Sequence, residues 1–216
     1  MEIALVTIFC TSFVLALSGA LMPGPLLTVT VSESSSRGMT TGPLMIFGHG
    51  LLELALVVAL ISGLAPILAR DDVFILISLM GGAVLLWMGT SMLRTLPRLS
   101  LDCPVLNEKP RNLVIMGIVL SAVNPYWLIW WASIGLGYIM HSLKFGLLGV
   151  TAFFLGHILA DLAWYSFVSF GIAKGQHLFS NQFYRKLIGA CAVFLIFFSC
   201  WFFYSGVQKM LDIINP

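Results

Sequence analysis

Charge is what this chain has least of. Only 9% of its 216 residues are Asp, Glu, Lys or Arg, against 59% hydrophobic, a balance that excludes a soluble single domain. The net charge of +2 is small, and its positive residues fall between apolar runs, so nothing points to a nucleic-acid partner. The four cysteines, Cys10, Cys103, Cys191 and Cys200, form no Cys-x-x-Cys pair. Three of them sit in apolar runs, as small buried hydrophobes do. There is no Gly-x-Ser-Gly and no His-Glu-x-x-His, so an intramembrane protease would lack its nucleophile or its metal motif. A cleavable leader is not expected either. Glu2 stands where a basic region belongs, and the apolar run continues past Ala20, so this segment reads as a first span.

What the chain does have is long apolar runs, which cross a bilayer as helices because a helix satisfies its own backbone hydrogen bonds. Six spans are expected, over 3–36, 41–69, 73–96, 112–139, 143–172 and 185–210. The polar, proline-broken stretch 98–111 separates them as a linker, leaving a three-helix repeat at 1–97 and another at 112–216. The expected fold is therefore an all-α integral membrane protein, multi-pass, in the plasma (inner) membrane. Arg37, Arg94, Arg98, Lys109, Arg111, Lys174, Arg185 and Lys186 fall on one side, and Arg70, Lys144 and Lys209 on the other. The positive-inside rule then puts both termini outside the cytoplasm.

The two halves share a pattern. Gly48-His49-Gly50-Leu51-Leu52-Glu53-Leu54-Ala55 returns 108 residues later as Gly156-His157-Ile158-Leu159-Ala160-Asp161-Leu162-Ala163, and Gly63-Leu64-Ala65 returns as Gly171-Ile172-Ala173. Because each half has an odd number of spans, equivalent spans cross in opposite senses, which makes a 3+3 inverted repeat. His49 and Glu53 are four residues apart, as are His157 and Asp161, so each pair shares one helix face. Ionisable groups inside hydrocarbon are costly, and so are functional candidates.

The first and fourth spans are expected to be broken, by Pro23-Gly24-Pro25 and by Asn124-Pro125. Each proline removes a backbone donor, leaving the carbonyls of Gly19, Leu21 and Ser121 without one. A helix restarting after Pro25 would point free N–H groups and partial positive charge into the break, which favours a carboxylate. Glu53 and Asp161 could then hold an ammonium group, or a proton exchanged for it. After the break, Thr28, Ser32 and Ser36 recur every four residues, either lining a water path or reaching the interface from a fraying helix end. Two readings also stay open for Trp127, Trp130 and Trp131: a cation-binding wall, or packing and interfacial aromatics. A rival reading makes His49, Glu53, His157 and Asp161 a ligand set for a divalent metal.

These residues resemble the LysE/RhtB family of amino-acid exporters. The likeness rests on Pro23-Gly24-Pro25, Gly38, Gly42, Gly48 and Glu53, with Asn124-Pro125 in the second half. The chain departs from the family where Leu52-Glu53 replaces Gly-Asp and where Tyr126-Trp127 follows the second proline. His49, His157 and Asp161 lie outside the common pattern. The resemblance implies export of a small solute, typically an amino acid, driven by the proton gradient, and the wider superfamily includes metal-ion exporters. The expected protein is a transporter and not an enzyme, without a cofactor; the alternative is a structural membrane protein without transport. Its partners are the lipid bilayer, a small-molecule substrate and protons, with self-association left open.

Overall fold

The computed structural model describes residues 1–22, 24–68, 70–98, 112–175 and 181–214. All regular structure among them is helical. The α-helices are α1 (Glu2–Ala20), α2 (Pro25–Arg37), α3 (Thr41–Ala59), α4 (Ala65–Leu68), α5 (Asp71–Thr95), α6 (Leu113–Ala122), α7 (Pro125–Trp130), α8 (Leu136–Leu143), α9 (Gly146–Gly175) and α10 (Asn181–Ile214). Five stretches are long and apolar enough to cross a membrane, and a sixth forms if α6 and the helix after it, bent by 65°, count as one span. The linker 98–111 lies outside the described residues except for Arg98, and so does Pro23.

Local chemistry sets the breaks. Gly24 is extended (φ −146, ψ −174) and Pro25 opens α2, where a missing N–H costs nothing. Asn124 is also extended (φ −84, ψ 108), the conformation that a following proline imposes. The second span carries an interruption that the sequence reading did not anticipate. Between α3 and α4 the chain widens over Leu60–Leu64, where Gly63 has φ 123, a backbone that glycine adopts without a Cβ clash.

Two expected orphan carbonyls are not orphans. Gly19 O accepts from Met22 N at 3.0 Å, and Ser121 O from Asn124 N at 3.1 Å. In each case the helix tightens to a three-residue turn before the break and so recovers a donor.

Exposed apolar side chains run along the long helices, for example Phe47, Leu51, Leu54 and Val58 on α3, and Leu148, Leu155 and Phe167 on α9. Water would penalise such a surface and hydrocarbon does not. The helices pair across the chain's midpoint: α1 with α9, α3 with α6, α5 with α10, and α3 with α9. Small residues permit the closest approaches. A Cβ on Gly48 would lie 1.9 Å from the Val114 carbonyl oxygen, one on Gly117 2.0 Å from that of Met45, and one on Gly156 2.4 Å from that of Phe9. Such contacts bring helix backbones together where no hydrophobic drive exists between spans. Serines tie the same helices: Ser12 donates to the Phe153 carbonyl at 2.7 Å, and Ser169 Oγ accepts from Gly42 N at 2.7 Å.

Two of the three apolar clusters among the described residues flank the centre of the bundle. One gathers Ile8, Val57, Leu60, Trp131, Ile139, Val150 and Phe153; the other gathers Leu26, Val31, Met45, Ile46, Leu113, Tyr165 and Ile172. Along α3, Met45 and Ile46 precede His49, and Val57 follows Glu53. Along α9, Val150 and Phe153 precede His157, and Tyr165 and Ile172 follow Asp161. The polar residues therefore lie between two apolar plugs.

Candidate functional site

Helices α3 and α9 each carry a histidine and an acid one turn apart, and their contact brings all four side chains to one place. Residues four apart share a helix face, and the close crossings at Gly48 and Gly156 turn those faces toward the centre. His49, Glu53, His157 and Asp161 are all buried, and one ligand atom from each lies within 4.8 Å of the other three. His49 Nε2 stands 3.0 Å from Glu53 Oε1 and 3.6 Å from Asp161 Oδ2. His157 Nε2 stands 3.1 Å from Glu53 Oε2 and 3.4 Å from Asp161 Oδ2.

The opposite edge of His49 meets a hydroxyl. Ser121 Oγ lies 2.7 Å from the Gly117 carbonyl oxygen and 2.7 Å from His49 Nδ1, and its one proton can serve either acceptor. With Ser121 donating to Nδ1, the ring's N–H is on Nε2 and faces the two carboxylates; a doubly protonated ring donates from both edges. Two carboxylates and two imidazoles thus share one buried space, whose charge depends on how many protons or other cations it holds.

Glu53 is 1% exposed. Its Oε1 accepts from Trp127 Nε1 at 3.0 Å and from Trp131 Nε1 at 2.9 Å, and lies 3.1 Å from His157 Nε2. Three rings surround His157: Trp130, Trp131 and Phe153, with centroids 4.8, 5.4 and 5.9 Å away. Glu53 Oε2, His157 Nδ1 and Asp161 Oδ2 are buried without a hydrogen-bond partner.

The four residues line a cavity of about 60 Å³ together with Gly19, Met22, Gly24, Ser121, Asn124, Tyr126, Trp127, Trp130, Tyr165, Phe194 and Phe198, among others. At about 10–15 Å³ per water on this measure, it has room for roughly four waters or a small head group. Both helix breaks reach it: a Cβ on Gly24 would lie 3.5 Å from Asn124 Nδ2. The two restarting helices differ. Asn124 Oδ1 occupies the start of α7 by accepting from Tyr126 N at 3.1 Å, whereas the start of α2 has no side-chain cap.

Of the residues singled out from sequence, Glu53, Asp161, His49, His157, Asn124 and Gly24 come together at the cavity. Pro25 and Pro125 open the adjoining helices, and Pro25 does not line the cavity. Thr28 does not line it: its hydroxyl donates to the Gly24 carbonyl at 2.9 Å. The stripe through Ser32 and Ser36 does not line it either, and the Ser36 hydroxyl turns back to the Glu33 carbonyl at 3.2 Å. Local bonds of this kind satisfy a helical hydroxyl without any water path.

Sequence reasoning missed the side chain of Ser121 along with Tyr165, Phe194 and Phe198, and it did not foresee that two indoles would bind Glu53. The four-residue spacing of Trp127 and Trp131 was the available signal, since it puts both on one helix face.

A bundle with apolar outer faces, built around an enclosed polar cluster, is a multi-pass membrane protein of the transporter kind. The sequence profile of the LysE type translocator family matches residues 17–206. The chain belongs to that family, whose members are membrane exporters of small solutes. No curated protein and no solved structure matches the chain significantly.

Proposed function

We propose that this chain exports an amino acid, or a related zwitterion or cation, in exchange for protons, with the His49–Glu53–His157–Asp161 cluster as the seat for the positive charge. The observation that carries this reading is the pair of buried carboxylates, Glu53 and Asp161, brought together with two imidazoles at one cavity. Two acids in so little space favour bound positive charge, which a proton or a cargo ammonium supplies. Competition for one seat is the simplest way to couple two fluxes, because a ligand shifts a conformational equilibrium only through its differential affinity for the two states. The uncapped start of α2, beside Gly24, offers N–H groups and partial positive charge to the carboxylate of a zwitterion.

The helix pairing supports a 3+3 inverted repeat of residues 1–97 and 112–216 joined by 98–111. Exchanging the halves turns the α1–α9 pair into the α6–α3 pair, and α5–α10 into itself. In this reading the apolar plugs on either side of the cluster are the two gates, and both termini lie outside the cytoplasm of a cell bounded by this membrane.

A divalent metal cargo is the second reading, favoured by one observation. The nitrogen–oxygen separations of 3.0, 3.6, 3.1 and 3.4 Å match the edges of about 3.3 Å in a tetrahedron with 2.0–2.1 Å bonds. Against it, His157 Nδ1 has no outer acceptor, which metal-bound histidines ordinarily have.

The test is efflux from proteoliposomes with an imposed pH gradient, using a panel of labelled amino acids and Zn²⁺. One class should move in wild type and stop in Glu53→Gln, with insertion unchanged. Wild-type efflux in that variant would refute the proposal.

A further inference from the structure

Glu53 and Asp161 hold corresponding places in the two copies of the Gly-His-x3-acid pattern, yet the protein holds them differently. Glu53 Oε1 receives two indole N–H groups, from Trp127 at 3.0 Å and Trp131 at 2.9 Å. Asp161 Oδ2 is buried without a hydrogen-bond partner and stands 3.4 Å from His157 Nε2 and 3.6 Å from His49 Nε2. The difference originates in the restarting helices. Trp127 and Trp131 are the second and sixth residues after Pro125. At the same distances after Pro25 stand Leu27 and Val31, both buried and both without a donor. One acid therefore has two indole donors on one oxygen, and the equivalent positions in the other half supply none to its counterpart.

An indole N–H can only donate. It neither titrates nor leaves with a solute, and its bond is strongest when the acceptor is a carboxylate. Both acids line the cavity and each has one buried oxygen without a hydrogen-bond partner, Glu53 Oε2 and Asp161 Oδ2; what differs is the pair of indoles on the other oxygen of Glu53.

Building on the export reading above, we propose that Trp127 and Trp131 are positioning residues that pin Glu53 as a fixed counter-charge, which leaves Asp161 as the acid that the cargo or exchanged proton contacts. The repeat thus supplies two acids with separate duties: one sets the charge of the site, the other makes and breaks the contact.

The test uses dicyclohexylcarbodiimide, an apolar reagent that enters bilayers and couples to protonated carboxyls. The full chain is reconstituted in liposomes, treated without any cargo, and mapped by peptide mass spectrometry. Asp161 should be labelled at least about tenfold faster than Glu53, since one charge-assisted hydrogen bond is worth a factor of that order. In Trp127→Phe/Trp131→Phe, labelling at Glu53 should rise toward that of Asp161, a change that loss of packing at a purely structural tryptophan would not direct to one carboxyl. Trp127→Phe alone, at a half-buried position, should shift the ratio part of the way if the double variant does not fold. Equal or faster labelling of Glu53 in wild type, or labelling of neither acid, would overturn the proposal. Because no cargo is present, this outcome is independent of whether amino acids or metal ions are carried.

Discussion

A substitution that touches no candidate site residue should still dismantle the site. Gly48 and Gly117 let α3 and α6 meet backbone to backbone. A Cβ on Gly48 would lie 1.9 Å from the Val114 carbonyl oxygen, where ordinary contact begins near 3.4 Å. In Gly48→Ala the helices must therefore part by about 1.5 Å, because a carbonyl in a helix cannot rotate away. His49 is the next residue, and its bond to Ser121 is 2.7 Å long. Stretched by that amount it reaches about 4 Å and is no longer a hydrogen bond. Overpacking costs about 1–3 kcal/mol, and a buried polar group left without its partner costs about 1–3 kcal/mol more. The sum is a large fraction of a typical net stability of about 5–15 kcal/mol. The control is Gly171→Ala, where no heavy atom lies within 4 Å of the new Cβ and helix propensity favours alanine by up to about 1 kcal/mol. Thermal unfolding in detergent should place Gly48→Ala well below wild type and Gly171→Ala at or above it. Equal midpoints for the two variants, with transport retained in Gly48→Ala, would refute the close crossing as the element that positions His49.

Three further outcomes are expected. Ser121→Ala removes the hydroxyl 2.7 Å from His49 Nδ1 and should lower stability by about 1–3 kcal/mol and weaken solute binding, read by isothermal titration; unchanged affinity would separate the Ser121–His49 contact from binding. Asn124→Ala removes the α7 cap and should cost about 1 kcal/mol in unfolding free energy. Asp71→Asn breaks the 3.0 Å contact with Lys209, but that pair is exposed and should change the melting temperature little, since surface ion pairs are worth about 0–1 kcal/mol.

The membrane class was legible because hydropathy is local: a run such as 146–175 declares itself without any knowledge of its neighbours. The breaks were legible for the same reason, as Pro25 and Asn124-Pro125 act on their own backbone. The gathering of His49, Glu53, His157 and Asp161 was half legible. The repeat announced two equivalent pairs, but their convergence depends on α3 meeting α9, which no local pattern encodes. Thr28 shows where periodicity stops. Its polar spacing left a water path and a fraying helix end both open, and its hydroxyl donates to the carbonyl one turn back, which spacing alone does not reveal.

By itself the sequence determined the long apolar runs, the two proline breaks and the doubled histidine and acid, since each follows from the covalent nature and spacing of neighbouring residues. Only the tertiary structure decided which acid receives the indoles of Trp127 and Trp131, which edge of His49 Ser121 takes, and that both breaks open on one cavity. Those are contacts between residues up to about a hundred positions apart in the chain. Their energies depend on distances of a few tenths of an ångström, which helix packing sets and residue order does not.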